Sequence, residues 1–332
     1  VAGAEPDPRI PVTVVTGYLG AGKSTLLNHV LHATDRRFAV IVNEFGEAGI
    51  DGALIETGDE DLIELSSGCL CCVVRGDLIR TLRDLLKRAD DLDGILIETT
   101  GVANPSPVIQ TFTADQHLAA QCRLDAVVTV VDALHVVARL DDSRDAVDQV
   151  ALASILVLNK AGEAQDIADI ETRLRAVNPH APILRCDRGR IAPDAILDTG
   201  SFDLARVADD LAPDPGTHGH DHDHDHDHIA AAGIESVTLR EAAPLDAGAV
   251  ESWLERLLSV RGEDILRTKG IVALAGEDRR FVLQAVNMMI EGEFGTPWGL
   301  EPRATRIVFI GRSLDRAALR DGLAACRATA DT

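Results

Sequence analysis

Between Ile10 and about Leu211 the chain alternates short apolar runs with stretches of helical periodicity. Residues 12–16, 39–42, 62–65, 94–97, 126–131, 154–158 and 182–185 are mostly continuous runs of Val, Ile, Leu and Ala. Runs of that length and composition read as strands covered on both faces of a parallel sheet. Helical patterns lie between several of them, among them residues 24–31, 77–89 and 164–177. The alternation predicts an α/β domain with a doubly wound, mostly parallel sheet over residues 8–211.

The pattern then breaks. Residues 212–217 are rich in Pro, Asp and Gly, and residues 218–228 read HGHDHDHDHDH. Nothing there supplies apolar surface to bury, which predicts a flexible linker over residues 212–229. A second pattern follows: a strand at 234–239, then a helix with Asp246 at its cap position and Val250, Trp253, Leu254, Leu257 and Leu258 on one face. Longer strands at 264–274 and 280–286, a strand at 305–310 and a last helix from Leu314 predict a small α+β domain over residues 230–327. There is no internal repeat.

The bulk numbers fit two domains. Of 332 residues 46% are apolar and only 3% aromatic, so Leu, Val, Ile and Ala must fill the cores. With 54 acidic residues against 32 basic ones, the formal net charge is -22. That balance speaks against nucleic acid and anionic membranes as partners, since both are bound by Lys/Arg surfaces. No apolar run approaches the length of a membrane span, and the first ten residues are polar and unlike a signal peptide, so the expected location is cytoplasmic. Three of the six cysteines crowd at positions 69, 71 and 72, too close to form a disulfide framework, which points to a reducing compartment.

Residues Gly17 to Ser24 read GYLGAGKS, the pattern GxxxxGK[ST] between an apolar strand and a helix. Gly17, Gly20 and Gly22, with Ala21 between the last two, let backbone N–H groups turn inward around phosphates. Lys23 neutralises β/γ oxygens, and the Ser24 hydroxyl, followed by Thr25, is a ligand for Mg²⁺. The helix dipole adds to the attraction. A second run, ILIETTG, ends an apolar strand in Glu98 and a small-residue turn. A carboxylate there can hold the water shell of Mg²⁺, and the Gly101 N–H can face a γ-phosphate. Lys23 and Glu98 are therefore the candidate catalytic residues of a nucleoside-triphosphate hydrolase.

Cys69, Cys71 and Cys72 place three thiols within four residues. Buried free cysteines would be the bland reading; such crowding beside Gly68 suits a borderline metal better, zinc first. The segment NEFGE, with Glu44 and Glu47, lies between the phosphate loop and the cysteines, where a switch segment would sit, and offers a further metal oxygen. The alternating tract His220, His222, His224, His226, His228 suits loose, multi-site binding of divalent metals. Asn159-Lys160-Ala161-Gly162 ends another strand. GTPases place Asn-Lys-x-Asp there to read guanine; here Gly162 stands in place of the Asp and Glu163 comes one residue later. Asn159 and Lys160 remain candidates for nucleotide binding. Cys122, Cys186, Cys326, His29 and His32 are isolated and read as packing or surface residues.

Taken together, GYLGAGKS, NEFGE, SGCLCCVVRGDL, ETTGVANPSPV, VVDA, the His-rich linker, QAVNMMIEGEFGTPW and RIVFIGRSLD resemble the CobW-type family of P-loop GTPases, relatives of the urease and hydrogenase nickel-insertion GTPases. The resemblance implies a GTP-dependent metallochaperone that uses GTP and Mg²⁺ to deliver Zn²⁺ (or Co²⁺) to a client metalloprotein, with CxCC as the metal site and oligomers possible. Two other readings stay open on the residues alone: a metal-buffering protein with vestigial hydrolysis, and a small-molecule kinase with structural cysteines.

Overall fold

The computed structural model describes residues 7–43, 62–65, 71–87, 92–101, 104–202, 204 and 233–328. Within them the chain groups into two compact units, one formed by residues 1–136, 153–167 and 182–201, the other by residues 137–152, 168–181 and 202–332.

The first unit holds a seven-stranded parallel sheet made of β1 (Ile10–Thr16), β2 (Phe38–Asn43), β3 (Leu62–Leu65), β4 (Gly94–Glu98), β5 (Cys122–Asp132), β6 (Ile155–Asn159) and β7 (Ile183–Arg185). Their order across the sheet is β3-β2-β4-β1-β5-β6-β7. Every apolar run predicted as a strand in this part of the chain is one. β4 and the inner residues of β1 are buried throughout, as continuous Val/Ile/Leu runs require when both faces are covered. Helix α1 (Lys23–His32) buries Leu26, Leu27, Val30 and Leu31 against Val15, Val40, Val128 and Val157 in one core. Register does the rest. β1 lies between β4 and β5, with Val15 beside Glu98 and Val128, while β5 sets Asp132 beside Asn159 of β6. Four strands thus deliver their carboxyl ends to one edge at the point where the strand order diverges, the place where open α/β sheets bind ligands.

Helix α2 (Cys71–Leu86) starts six residues before the helical pattern at Asp77 suggested. Four further helices, α3 (Ser106–Ala114), α4 (Gln116–Gln121), α5 (Val136–Asp142) and α6 (Arg144–Leu152), precede α7 (Ile167–Val177).

The second unit holds an antiparallel five-stranded sheet, order β11-β10-β9-β12-β8, from β8 (Ile234–Glu241), β9 (Ile265–Val272), β10 (Arg279–Val286), β11 (Met289–Pro297) and β12 (Thr305–Arg312). Helices α8 (Ala247–Arg261) and α9 (Arg316–Ala324) contribute Val250, Trp253, Leu254, Leu258, Leu319 and Leu323 to its core. Trp253 meets Phe309 edge-on at 6.1 Å between centroids. β9 is buried along its whole length. Arg267 explains part of this, donating to the Leu152 carbonyl at 3.1 Å and lying over the Phe202 ring. Asp148 of α6 pairs with Arg312 of β12 in the same unit.

β11 escaped the sequence pattern for a physical reason. It is an edge strand without one buried residue, and Glu291, Gly292, Glu293 and Gly295 interrupt any alternation. Asp246 does cap α8, accepting from the Ala249 N–H at 2.8 Å. Removing it orphans a helix donor, so Asp246→Ala is expected to cost about 1 kcal/mol in a denaturant-unfolding measurement, and Asp246→Asn much less.

Candidate functional site

The loop between β1 and α1 is shaped by positions that exclude a side chain. A Cβ on Gly17, whose φ is +139°, would lie 2.2 Å from the Val130 carbonyl oxygen, and one on Gly22, at φ +100°, 2.5 Å from Asn159 Nδ2. The Ala21 N–H donates to the Tyr18 carbonyl at 3.1 Å, which tightens the turn, and the Leu26 N–H donates to Gly22 at 2.9 Å as α1 begins. Gly22 caps α1 without a side-chain hydrogen bond, and no acidic residue occupies the first turn. That helix end therefore keeps its positive pole directed into the loop, the condition for holding an anion.

Lys23 is buried and donates from Nζ to the Gly17 carbonyl at 3.0 Å, so its ammonium lies across the mouth of the loop. Ser24 Oγ donates to Glu98 at 3.1 Å (Oε1) and 3.4 Å (Oε2). Glu98 is only 6% exposed, so its carboxylate is directed to this hydroxyl and away from bulk water. The turn after β4 is tied to β1 by Thr99, through its N–H to Val15 at 2.9 Å and its hydroxyl to Thr16 at 2.8 Å. Gly101 then comes so close to the loop that a Cβ would sit 2.6 Å from the Leu19 nitrogen. A cradle lined by backbone, an ammonium at its mouth and a hydroxyl–carboxylate pair of hard oxygens fit a Mg²⁺-nucleotide.

Asn159 and Lys160 join this site. Asn159 donates to the Ala21 carbonyl at 2.9 Å and accepts from the Gly189 N–H at 3.1 Å, which fastens the loop after β7 to the phosphate loop. Burial raises the Cys186 thiol, so it stays protonated as a donor 3.5 Å from Asn159 Oδ1. Lys160 reaches both the Gly20 carbonyl at 3.1 Å and Asp132 at 2.7 Å. Burial works to raise the Asp132 carboxyl, but hydrogen bonds from Lys160, His135 and the Leu134 N–H outweigh it and hold it below the usual carboxylate range. The stabilisation from that depressed carboxyl is complete above the ordinary carboxylate range and is lost only as pH falls through the lowered value. Asp132 joins the site without having been singled out in the sequence, where its signals are a carboxylate ending an apolar strand, as at Glu98, and its place in the VVDA run.

The structure thus gathers Gly17, Gly20, Ala21, Gly22, Lys23, Ser24, Thr25, Glu98, Gly101, Asn159 and Lys160 around one edge. Cys71 and Cys72 open helix α2. Glu44, Cys69 and His220, His222, His224, His226 and His228 lie outside the described residues. Among the described residues no cluster of three or more His, Cys, Asp or Glu side chains is placed to hold a metal. Cys122, Cys186 and Cys326 are buried free thiols, and burial pushes that of Cys122 up to about 11.

Comparison with known proteins agrees with this geometry. Residues 11–185 match the family described as CobW/HypB/UreG, nucleotide-binding domain, and residues 234–327 match the cobalamin synthesis protein cobW C-terminal domain. The chain is 38% identical to the zinc chaperone CobW of Pseudomonas aeruginosa, over 95% of this chain and 91% of that protein. It is 33% identical to the zinc chaperone YjiA of Escherichia coli, over 96% and 99%. The crystal structure of Zn(II)-bound YjiA GTPase superposes with a TM-score of 0.76 at 29% identity, covering 96% of this chain and 99% of that one. A YjiA variant with one glutamate and two cysteines replaced by alanine, also Zn(II)-bound, superposes equally well, with a TM-score of 0.77. By its cradle, its sheet and these matches over residues 11–185 and 234–327, the chain belongs to the CobW/HypB/UreG family.

Proposed function

We propose that this chain is a GTP-hydrolysing metallochaperone that passes a divalent metal, zinc first and cobalt second, to a client metalloprotein in the cytoplasm. The observation that carries the hydrolase half is the alignment of Lys23, Ser24 and Glu98 on a cradle that admits no side chain at Gly17 or Gly22. The metal half is supported by Cys69-Leu-Cys71-Cys72 and the His-Asp tract, together with the names of the relatives, zinc chaperones and, in the yeasts Schizosaccharomyces pombe and Saccharomyces cerevisiae, zinc-regulated GTPase metalloprotein activators.

In this reading residues 8–211 bind and hydrolyse the nucleotide, 212–229 link, and 230–327 recognise the client. The backbone of Gly17 to Ser24 cradles the α/β-phosphates, and Lys23 turns from the Gly17 carbonyl to the β/γ oxygens. Ser24, backed by Glu98, would hold Mg²⁺, which would screen the charge of the phosphate oxygens. The Gly101 N–H faces the γ-phosphate, so the turn after β4 reports whether that group is present. Lys23 and the loop amides stabilise the charge that develops as water attacks in line. Glu44, Cys69, Cys71 and Cys72 bind the cargo ion, and the His tract offers it weaker sites. Hydrolysis changes the affinity of the thiolates and so releases the ion.

Nucleotide turnover with GTP and with ATP, each in the presence of zinc, cobalt or nickel, tests this. Zinc-stimulated GTP turnover is expected, and in a Cys69→Ala/Cys71→Ala variant the stimulation is expected to vanish while metal-free turnover stays within about twofold. Turnover indifferent to both metal and thiols would leave a metal buffer with uncoupled hydrolysis. Transfer of labelled γ-phosphate to an acceptor besides water would make the protein a kinase.

A further inference from the structure

Gly162 leaves the strand-end motif of β6 without the carboxylate that would read guanine, yet a carboxylate stands at that place. Asp187, in the loop after β7, accepts the Gly162 N–H at Oδ1, 2.9 Å away. A Cβ built on Gly162 would fall 2.8 Å from Asp187 Oδ2, 3.3 Å from its Cγ and 3.4 Å from Oδ1. An aspartate at position 162 would therefore push its side chain into the space the Asp187 carboxylate already fills. The glycine is what admits it.

We propose that Asp187 is the guanine-specificity residue of this protein, supplying from the loop after β7 the acceptor pair that position 162 lacks. The inference rests on the GTPase reading above. Guanine presents an N1–H and an N2 amine side by side, two donors that one carboxylate accepts together, whereas adenine offers no such pair. The loop carrying Asp187 is held against the phosphate loop. The Gly189 N–H is bonded to Asn159, and Gly189 packs so closely on α1 that a Cβ would lie 2.7 Å from the Leu26 backbone. The Asp187 carbonyl accepts the Arg190 N–H at 3.1 Å, closing the turn. Lys160, whose ammonium bonds the Gly20 carbonyl, links the same strand end to the phosphate cradle. Asp187 is itself exposed, so its carboxylate is open to solvent on one side.

Glu163 is the rival, and its backbone argues against it. Residues Ala161–Glu163 form a 3₁₀ turn in which the Glu163 N–H closes on the Lys160 carbonyl at 3.2 Å. Successive side chains on such a turn point about 120° apart, so Glu163 diverges from the direction of residue 162.

Titration of the full-length protein with fluorescent GDP, ADP and xanthosine diphosphate decides the matter. The wild type is expected to prefer GDP. Asp187→Asn is expected to weaken GDP by about ten- to a hundredfold. It should also strengthen xanthosine diphosphate, because an amide can accept the N1–H and donate to the C2 carbonyl that replaces the amine. Glu163→Gln is expected to leave the preference in place. Gain of the xanthine nucleotide is the readout that mere loosening of the loop would not produce. A wild type that binds GDP no better than ADP would overturn the guanine reading of the site. A wild type that prefers GDP, with Asp187→Asn still within twofold of it or with Glu163→Gln losing it, would overturn the assignment of Asp187 alone.

Discussion

Lys23→Met is expected to lower GTP turnover by about a hundred- to a thousandfold, the usual loss when a preorganised donor to developing charge is removed. The methionine keeps the aliphatic stem and deletes only the ammonium. Lys23 is 8% exposed and its ammonium bonds the Gly17 carbonyl, so the substitution removes the charge from the mouth of the cradle. Binding should suffer less than turnover, because the loop amides and the α1 pole still hold the phosphates. Steady-state kcat beside the Kd for GDP, with circular dichroism to confirm folding, checks this. Turnover within tenfold of wild type would mean that the cradle is not where hydrolysis takes place.

Among the described glycines of the first unit, Gly17 is expected to tolerate an added methyl group least. The new Cβ would meet the Val130 oxygen at 2.2 Å and the Val130 carbon and nitrogen at 3.0 Å each, at a φ of +139° that L residues avoid. Val130 cannot withdraw, because β5 is paired on both sides, to β1 and to β6. Overpacking and backbone strain together put the expected cost at about 3 kcal/mol or more. Gly20→Ala is the internal control. Its φ is +77°, but nothing lies within 4 Å of a built Cβ, so only the left-handed strain of about 1–2 kcal/mol applies. Urea-unfolding midpoints of the two variants should separate clearly, Gly17→Ala far below Gly20→Ala. Equal midpoints would show that the loop is slacker than its packing against β5 implies.

β1, β2, β4, β5 and β6 were legible as apolar runs because burial on both faces leaves few polar interruptions, and the edge strands β3 and β7 were legible only as short apolar runs. Helix α8 was legible through its cap and its stripe. Much of the phosphate site was equally legible, since Gly17 to Ser24 form a local motif in which eight consecutive residues carry most of the chemistry. β11 was not, because an exposed edge strand has no burial to write into its side chains. Helix α2 was read six residues short, because the Cys71-Cys72-Val73-Val74 run before Asp77 has no polar face that would mark it as helix.

What the sequence determined by itself was the alternation of strand and helix and the residue types of the cradle and the thiol cluster. These are properties of neighbours along the chain, and periodicity and motif spacing register them. Tertiary structure alone decided which distant residues complete the site. Strand register set Asp132 beside Asn159 and brought Glu98 within reach of Ser24. Close packing turned Gly17, Gly22 and Gly101 from permissive glycines into obligatory ones. A turn after β7 carried Asp187 to Gly162 across 25 residues of sequence. Each of these depends on how strands align and loops press together, and no local pattern of apolar and polar positions contains that information.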